Sequence, residues 1–136
     1  MKSAAYVQTW KQTCPSTIRF DISEHQCWDS KTGEFGEAIC RHADCYVFCL
    51  LAERDRDLVD PLDLAQWQFY VLPTPTINRI FGSQKTVSLS RIEECCQAVV
   101  FTDLRIEIDR VLFDGPARDG ADVQANRSSR RDQNRP

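Results

Sequence analysis

Over residues 16–22 apolar and polar positions alternate, with Ile18, Phe20 and Ile22 on one side, the period of a half-buried strand. Residues 43–52 differ: almost every position is apolar, the pattern of a strand covered on both faces. Residues 67–72 repeat that pattern, and Pro73 stops it. Ahead of these strands, residues 3–12 place Tyr6, Val7 and Trp10 on one helical face, with Pro15 beyond the end, which predicts an opening helix. Thr74-Pro75 reads as an N-cap and first helical residue, and Gly82 as the stop. Ser90 and Glu93 form a capping box for a short helix ending near Cys96. Residues 103–112 fit a strand through Leu104, Ile106 and Ile108, and a helix through Leu104, Ile108, Val111 and Leu112; Thr102 as N-cap favours the helix. Residues 29–36 are turn-rich, and residues 53–63 make an acidic, polar connection.

From residue 114 the patterning lapses, and Val123 is the single large apolar residue that follows. Such a segment cannot offset its ordering entropy by burial. The expectation is one α/β domain over residues 1–113 and a disordered tail over 114–136. Hydrophobic residues make up 42% and charged residues 27% of the 136, an ordinary globular composition. No apolar run approaches the ~20 residues of a membrane helix, and residues 1–10 lack the apolar core of a signal peptide. A cytoplasmic protein with no membrane partner is expected. Seven cysteines, an odd number without a secretory signal, then read as reduced thiols and not as a disulfide framework. The net charge of −3 gives no global attraction to nucleic acid, so any DNA-binding face must be local.

Four stretches carry a resemblance. They are Lys2-Ser3-Ala4-Ala5-Tyr6-Val7-Gln8-Thr9-Trp10, Arg41-His42-Ala43-Asp44-Cys45-Tyr46-Val47-Phe48-Cys49, Pro61-Leu62-Asp63-Leu64-Ala65-Gln66-Trp67-Gln68-Phe69-Tyr70-Val71-Leu72 and, more weakly, Gln84-Lys85-Thr86-Val87-Ser88-Leu89. In order and spacing they resemble an uncharacterised bacterial group of PD-(D/E)XK, restriction-endonuclease-like nuclease proteins, over roughly residues 2–112. The resemblance implies a mixed sheet flanked by helices, with a strand bearing a carboxylate, a spacer and a lysine. In such proteins the carboxylate and an upstream Asp hold Mg²⁺, the metal activates water, and the lysine stabilises developing negative charge.

By position Lys2 matches the catalytic lysine, with Ser3, Gln8 and Arg41 as substrate-side residues. Met1 then occupies the spacer, and both metal-binding carboxylates would precede it. The resemblance therefore implies a fold incomplete at its N-terminal side, the C-terminal part of a Mg²⁺-dependent DNA nuclease, inactive as this chain. The alternative is a non-catalytic module of the same fold that binds nucleic acid or a protein. An exposed sheet edge would favour self-association.

Other constellations are weighed on chemistry. Asp29-Ser30-Lys31 matches acid-x-lysine but sits in a turn. Cys40, His42, Cys45 and Cys49 have zinc-ligand identities without paired knuckle spacing, and Cys45, Val47 and Cys49 alternate as core residues do. Buried thiols are the preferred reading, for Cys95-Cys96 as well. Asp55, Asp57, Asp60 and Asp63 fail the calcium-loop pattern, because Asp60 stands at the sixth position that needs Gly. Arg41 has two readings, a bidentate phosphate contact or a pair with Asp44 or another carboxylate. Trp10, Trp28, Trp67, Phe69 and Tyr70 read as core more than as base-stacking residues.

Overall fold

The structure, a computed structural model, describes residues 1–113; the tail expected over 114–136 lies outside the described residues. The protein is a mixed α/β fold organised on a three-stranded sheet. The central strand β5 (Cys45–Leu51) pairs antiparallel with β6 (Trp67–Pro73), Phe48 facing Tyr70, and parallel with β1 (Lys2–Ala5), Lys2 facing Phe48. Both faces of β5 are covered, which explains its unbroken apolar run. Tyr46, Phe48 and Leu50, with Tyr70 and Leu72 of β6, pack under Ile18, Phe20, Ile22, Val87, Ile77, Phe81 and Ile92. On the other face Val47, Cys49, Phe69 and Val71 pack under Leu104 and Val111 of helix α3 (Phe101–Phe113).

The first cover is a ribbon and two helices. β2 (Arg19–Asp21) pairs antiparallel with β7 (Thr86–Ser88), and α1 (Thr74–Phe81) and α2 (Leu89–Glu93) complete the layer. The alternation over residues 16–22 is as expected: Ile18, Phe20 and Ile22 are buried, Arg19 and Asp21 exposed. This strand does not join the main sheet: β2 bonds to β7 in a separate two-stranded ribbon.

The opening helix is absent. Residues 2–5 are a strand because the small side chains Ser3, Ala4 and Ala5 lie flat beside Cys49, Leu50 and Leu51 and complete the backbone hydrogen bonding of β5. Trp10, expected on the buried face of that helix, is 63% exposed. The segment that follows is held by Arg56, whose Nη2 donates to the carbonyls of Gln8, Thr9 and Trp10 at 2.9, 3.1 and 2.9 Å.

Helix boundaries moved by a residue or two. Pro73, not Thr74, caps α1, and the Thr74 hydroxyl donates instead to the Ala43 carbonyl. Gly82 ends α1 at φ 54°, a positive-φ conformation that glycine adopts without strain. The Ser90–Glu93 capping box does not form: Ser88 precedes α2, and Glu93 accepts the Tyr70 hydroxyl at 3.1 Å. Residues 103–112 are helical, inside a helix that starts at Phe101, before the expected cap Thr102.

The turn-rich stretch belongs to a hairpin that periodicity did not reveal. β3 (His25–Asp29) and β4 (Glu34–Cys40) pair antiparallel, with a register shift between Gln26 and Trp28. Nearly all of its residues are exposed, so it stands off the core. Asp29 caps its turn, accepting the Lys31 amide at 2.8 Å, and Gly33 sits at φ 70°. Trp28, expected in the core, is 58% exposed and meets Phe35 edge-on at 4.9 Å between ring centroids. Phe69 and Tyr70 are buried as expected, and Trp67 packs partly buried against the α3 side.

Candidate functional site

Two places gather polar chemistry, and the first is the start of β1. Lys2 Nζ lies 3.1 Å from Asp21 Oδ2, joining the main sheet to the outward face of the β2–β7 ribbon. Asp21 also accepts the Ser23 hydroxyl at 2.5 Å and the Ser23 amide at 3.1 Å. Those two Ser23 bonds, and then the Lys2 ammonium, hold its carboxyl down at about 2. Ser3 is exposed, and with Lys2 it borders an open cleft of about 430 Å³ lined by Cys49, Trp67, Phe69 and Leu104.

This arrangement does not make a Mg²⁺ site. The ion prefers several hard oxygen ligands in octahedral array. Beside Lys2 the described chain offers one carboxylate, already bonded to Ser23 and Lys2.

The other residues expected on the substrate side have structural partners. Gln8 donates from Nε2 to the Ala5 carbonyl at 3.0 Å, and its amide is accepted by Gln12 Oε1 at 2.8 Å. Arg41 is only 7% exposed. Its guanidinium donates to the Ile22 carbonyl at 2.7 Å, Asn78 Oδ1 at 2.7 Å and the Gln84 carbonyl at 3.0 Å, with Glu24 at 3.7 Å. Of its two readings the structure therefore shows internal pairing, with Glu24 and not Asp44 as the carboxylate.

The acidic connection is likewise occupied by its own backbone. Asp55, Asp60 and Asp63 accept the amides of Asp57, Leu62 and Ala65 at 2.9, 2.9 and 3.0 Å. Short side chains that bond two residues ahead make tight turns, which is what this segment does.

The second place lies at the base of the β3–β4 hairpin. His42 Nδ1 is 3.3 Å from Cys27 Sγ and 3.3 Å from Cys40 Sγ. Among the described residues these three make a cluster whose ligand atoms all lie within 4.8 Å of one another. His42 Nε2 is 3.1 Å from the His25 carbonyl, which can only accept, so Nε2 is the donor there, and in the neutral ring Nδ1 is the lone-pair atom that faces the sulfurs. Loss of solvent contact, and then the neighbouring Cys27 thiol, push the Cys40 thiol up.

Sequence spacing grouped Cys40 and His42 with Cys45 and Cys49. The structure separates them: Cys49 is buried and Cys45 half-buried beside the α3 cluster, as core thiols. Cys27 was missed because it lies 13 residues before Cys40 and reaches it only through the hairpin. A signal existed in the mirrored His25-x-Cys27 and Cys40-x-His42 on either side of the turn.

Among the described residues all seven cysteines are free thiols, and no helix is long and apolar enough to cross a membrane. The chain matches no family model, no curated protein and no solved structure.

Proposed function

We propose that the chain carries the lysine strand of a PD-(D/E)XK nuclease-like sheet and that, as this polypeptide, it engages the phosphates of DNA without hydrolysing them. The observation that carries the reading is the setting of Lys2. It opens a strand parallel to the most buried strand of a mixed sheet, and its ammonium stands at the protein surface beside a carboxylate. A motif lysine needs that setting, a rigid backbone and a charge outside the apolar core. Arg19, on the same outward face of β2 as Asp21, adds a second cation to this end of the molecule. Hydrolysis by the motif requires paired carboxylates on a metal, and the described residues around Lys2 supply only Asp21.

Mg²⁺ belongs to this reading only as what the resemblance implies for an intact site. The substrate class comes from the same resemblance, since a fold by itself does not fix a function. The test is supercoiled plasmid incubated with the purified chain and Mg²⁺ at low and at physiological salt. The reading expects retardation at low salt, relief of that retardation as salt rises, and no nicking. Absence of retardation at low salt contradicts DNA engagement. Mg²⁺-dependent nicking that Lys2→Ala abolishes contradicts the inactive state.

A further inference from the structure

We propose that Cys27, Cys40 and His42 form a three-ligand site for a divalent cation of the Zn²⁺ class at the base of the β3–β4 hairpin. Thiolate and imidazole are the ligands such cations select. With ordinary zinc–sulfur and zinc–nitrogen bonds at tetrahedral angles, sulfur and nitrogen sit about 3.5 Å apart. Both sulfurs are 3.3 Å from His42 Nδ1, within a few tenths of an ångström of that spacing, and all three ligand atoms lie within 4.8 Å of one another.

The second ring nitrogen supports the assignment independently. Metal-ligating histidines donate their other N–H to a carbonyl or carboxylate, which fixes tautomer and ring orientation. His42 does this through the His25 carbonyl at 3.1 Å, leaving Nδ1 as the metal-facing atom. The backbone between two of the ligands is also anchored. Arg41 lies between Cys40 and His42, and its guanidinium is pinned inside the protein to Ile22, Asn78 and Gln84. Extended backbone alternates sides, so burying Arg41 turns Cys40 and His42 outward together. The third ligand, Cys27, comes from the opposing strand near the register shift.

The hairpin has a use for such a site. An isolated two-stranded hairpin is marginal in water, and this one buries almost nothing. The Trp28–Phe35 pair holds its distal end; a cation would hold its base. Binding replaces two S–H protons with one M²⁺, leaving a neutral M²⁺(Cys⁻)₂(His) unit and delivering two protons to buffer. Three protein ligands leave a fourth coordination position that water can fill.

Co²⁺ titration of the full chain, kept reduced with a phosphine, tests the proposal. One Co²⁺ per chain is expected, with thiolate-to-cobalt charge-transfer absorption, release of two protons and displacement by Zn²⁺. Cys27→Ser, Cys40→Ser and His42→Ala should each weaken binding by about 100-fold or more, exceeding the usual loss from a supporting residue. Cys14→Ser, Cys45→Ser and His25→Ala should leave it unchanged, the last because His25 contributes only its carbonyl. Since the ligands lie outside both core clusters, far-UV circular dichroism should report folded variants throughout. Absence of charge-transfer absorption from the reduced chain overturns the site. So does binding that survives Cys27→Ser/Cys40→Ser, or chains that instead join Cys27 to Cys40 as a disulfide and take up no metal after reduction.

Discussion

Asp21 and Lys2, 19 residues apart, meet at 3.1 Å and tie the first strand of the sheet to the ribbon that covers it. The Asp21 carboxyl is held at about 2, chiefly by Ser23 and secondarily by Lys2. Its folded value thus lies below its unfolded value near 3.8. The stabilisation is complete above that unfolded value and is lost as pH falls toward the folded one. Both side chains are partly exposed, so the effect on stability is small. Carboxyl-carbon NMR titration should place Asp21 near the folded value, and Ser23→Ala and Lys2→Ala should each raise it.

Arg41 is the polar keystone of the interior. Removing its guanidinium leaves the Ile22 and Gln84 carbonyls and the Asn78 side chain without their donor. Arg41→Met should therefore destabilise the protein by about 3 kcal/mol or more, as for a broken buried charge network. Urea unfolding followed by tryptophan fluorescence measures it. A loss below about 1 kcal/mol would fit an ordinary surface arginine.

Core and hairpin should respond differently to truncation. Phe48 is fully buried and meets Phe20 at 5.1 Å and Tyr46 at 5.9 Å between ring centroids. Phe48→Ala should cost about 3–5 kcal/mol. Ile39, on β4, is 60% exposed, and Ile39→Ala should stay within about 0.5 kcal/mol. Chemical denaturation of the pair distinguishes a hairpin that stands off the core from one packed into it.

Tyr70 gives a signal at the alkaline end. Burial, and then its hydrogen bond to Glu93, push its hydroxyl up to about 12. Because the folded value exceeds the unfolded one, its contribution is intact below about 10 and is lost as pH rises toward the folded value. Ultraviolet titration of the phenolate band should show Tyr70 ionising late, and Glu93→Gln should bring it earlier.

What the sequence disclosed follows burial. Strands β5 and β6 were legible because apolar runs with both faces covered leave no other reading, and Ile18, Phe20 and Ile22 because one face is core. The strand at residues 2–5 was not, because its small side chains have no period of their own and owe their conformation to β5. The hairpin was hidden for the opposite reason: its strands face water, so nothing in their polarity marks them. The Cys27–Cys40–His42 cluster depends on that hairpin's register, and it became visible only once the two strands were paired. Arg41 was legible as a residue with work to do, but its partners, Asn78 and Gln84, lie 37 and 43 residues away.

The proposed engagement of DNA through the Lys2 end of the sheet is tested by one titration. Anisotropy of a labelled duplex is followed as the chain is added, at several salt concentrations, for the natural sequence and for Lys2→Ala. The account predicts affinity that falls steeply with salt, and a log–log salt slope reduced by about 1 in Lys2→Ala, the signature of one lost phosphate contact. No binding at low salt, or a slope that Lys2→Ala leaves unchanged, would contradict it.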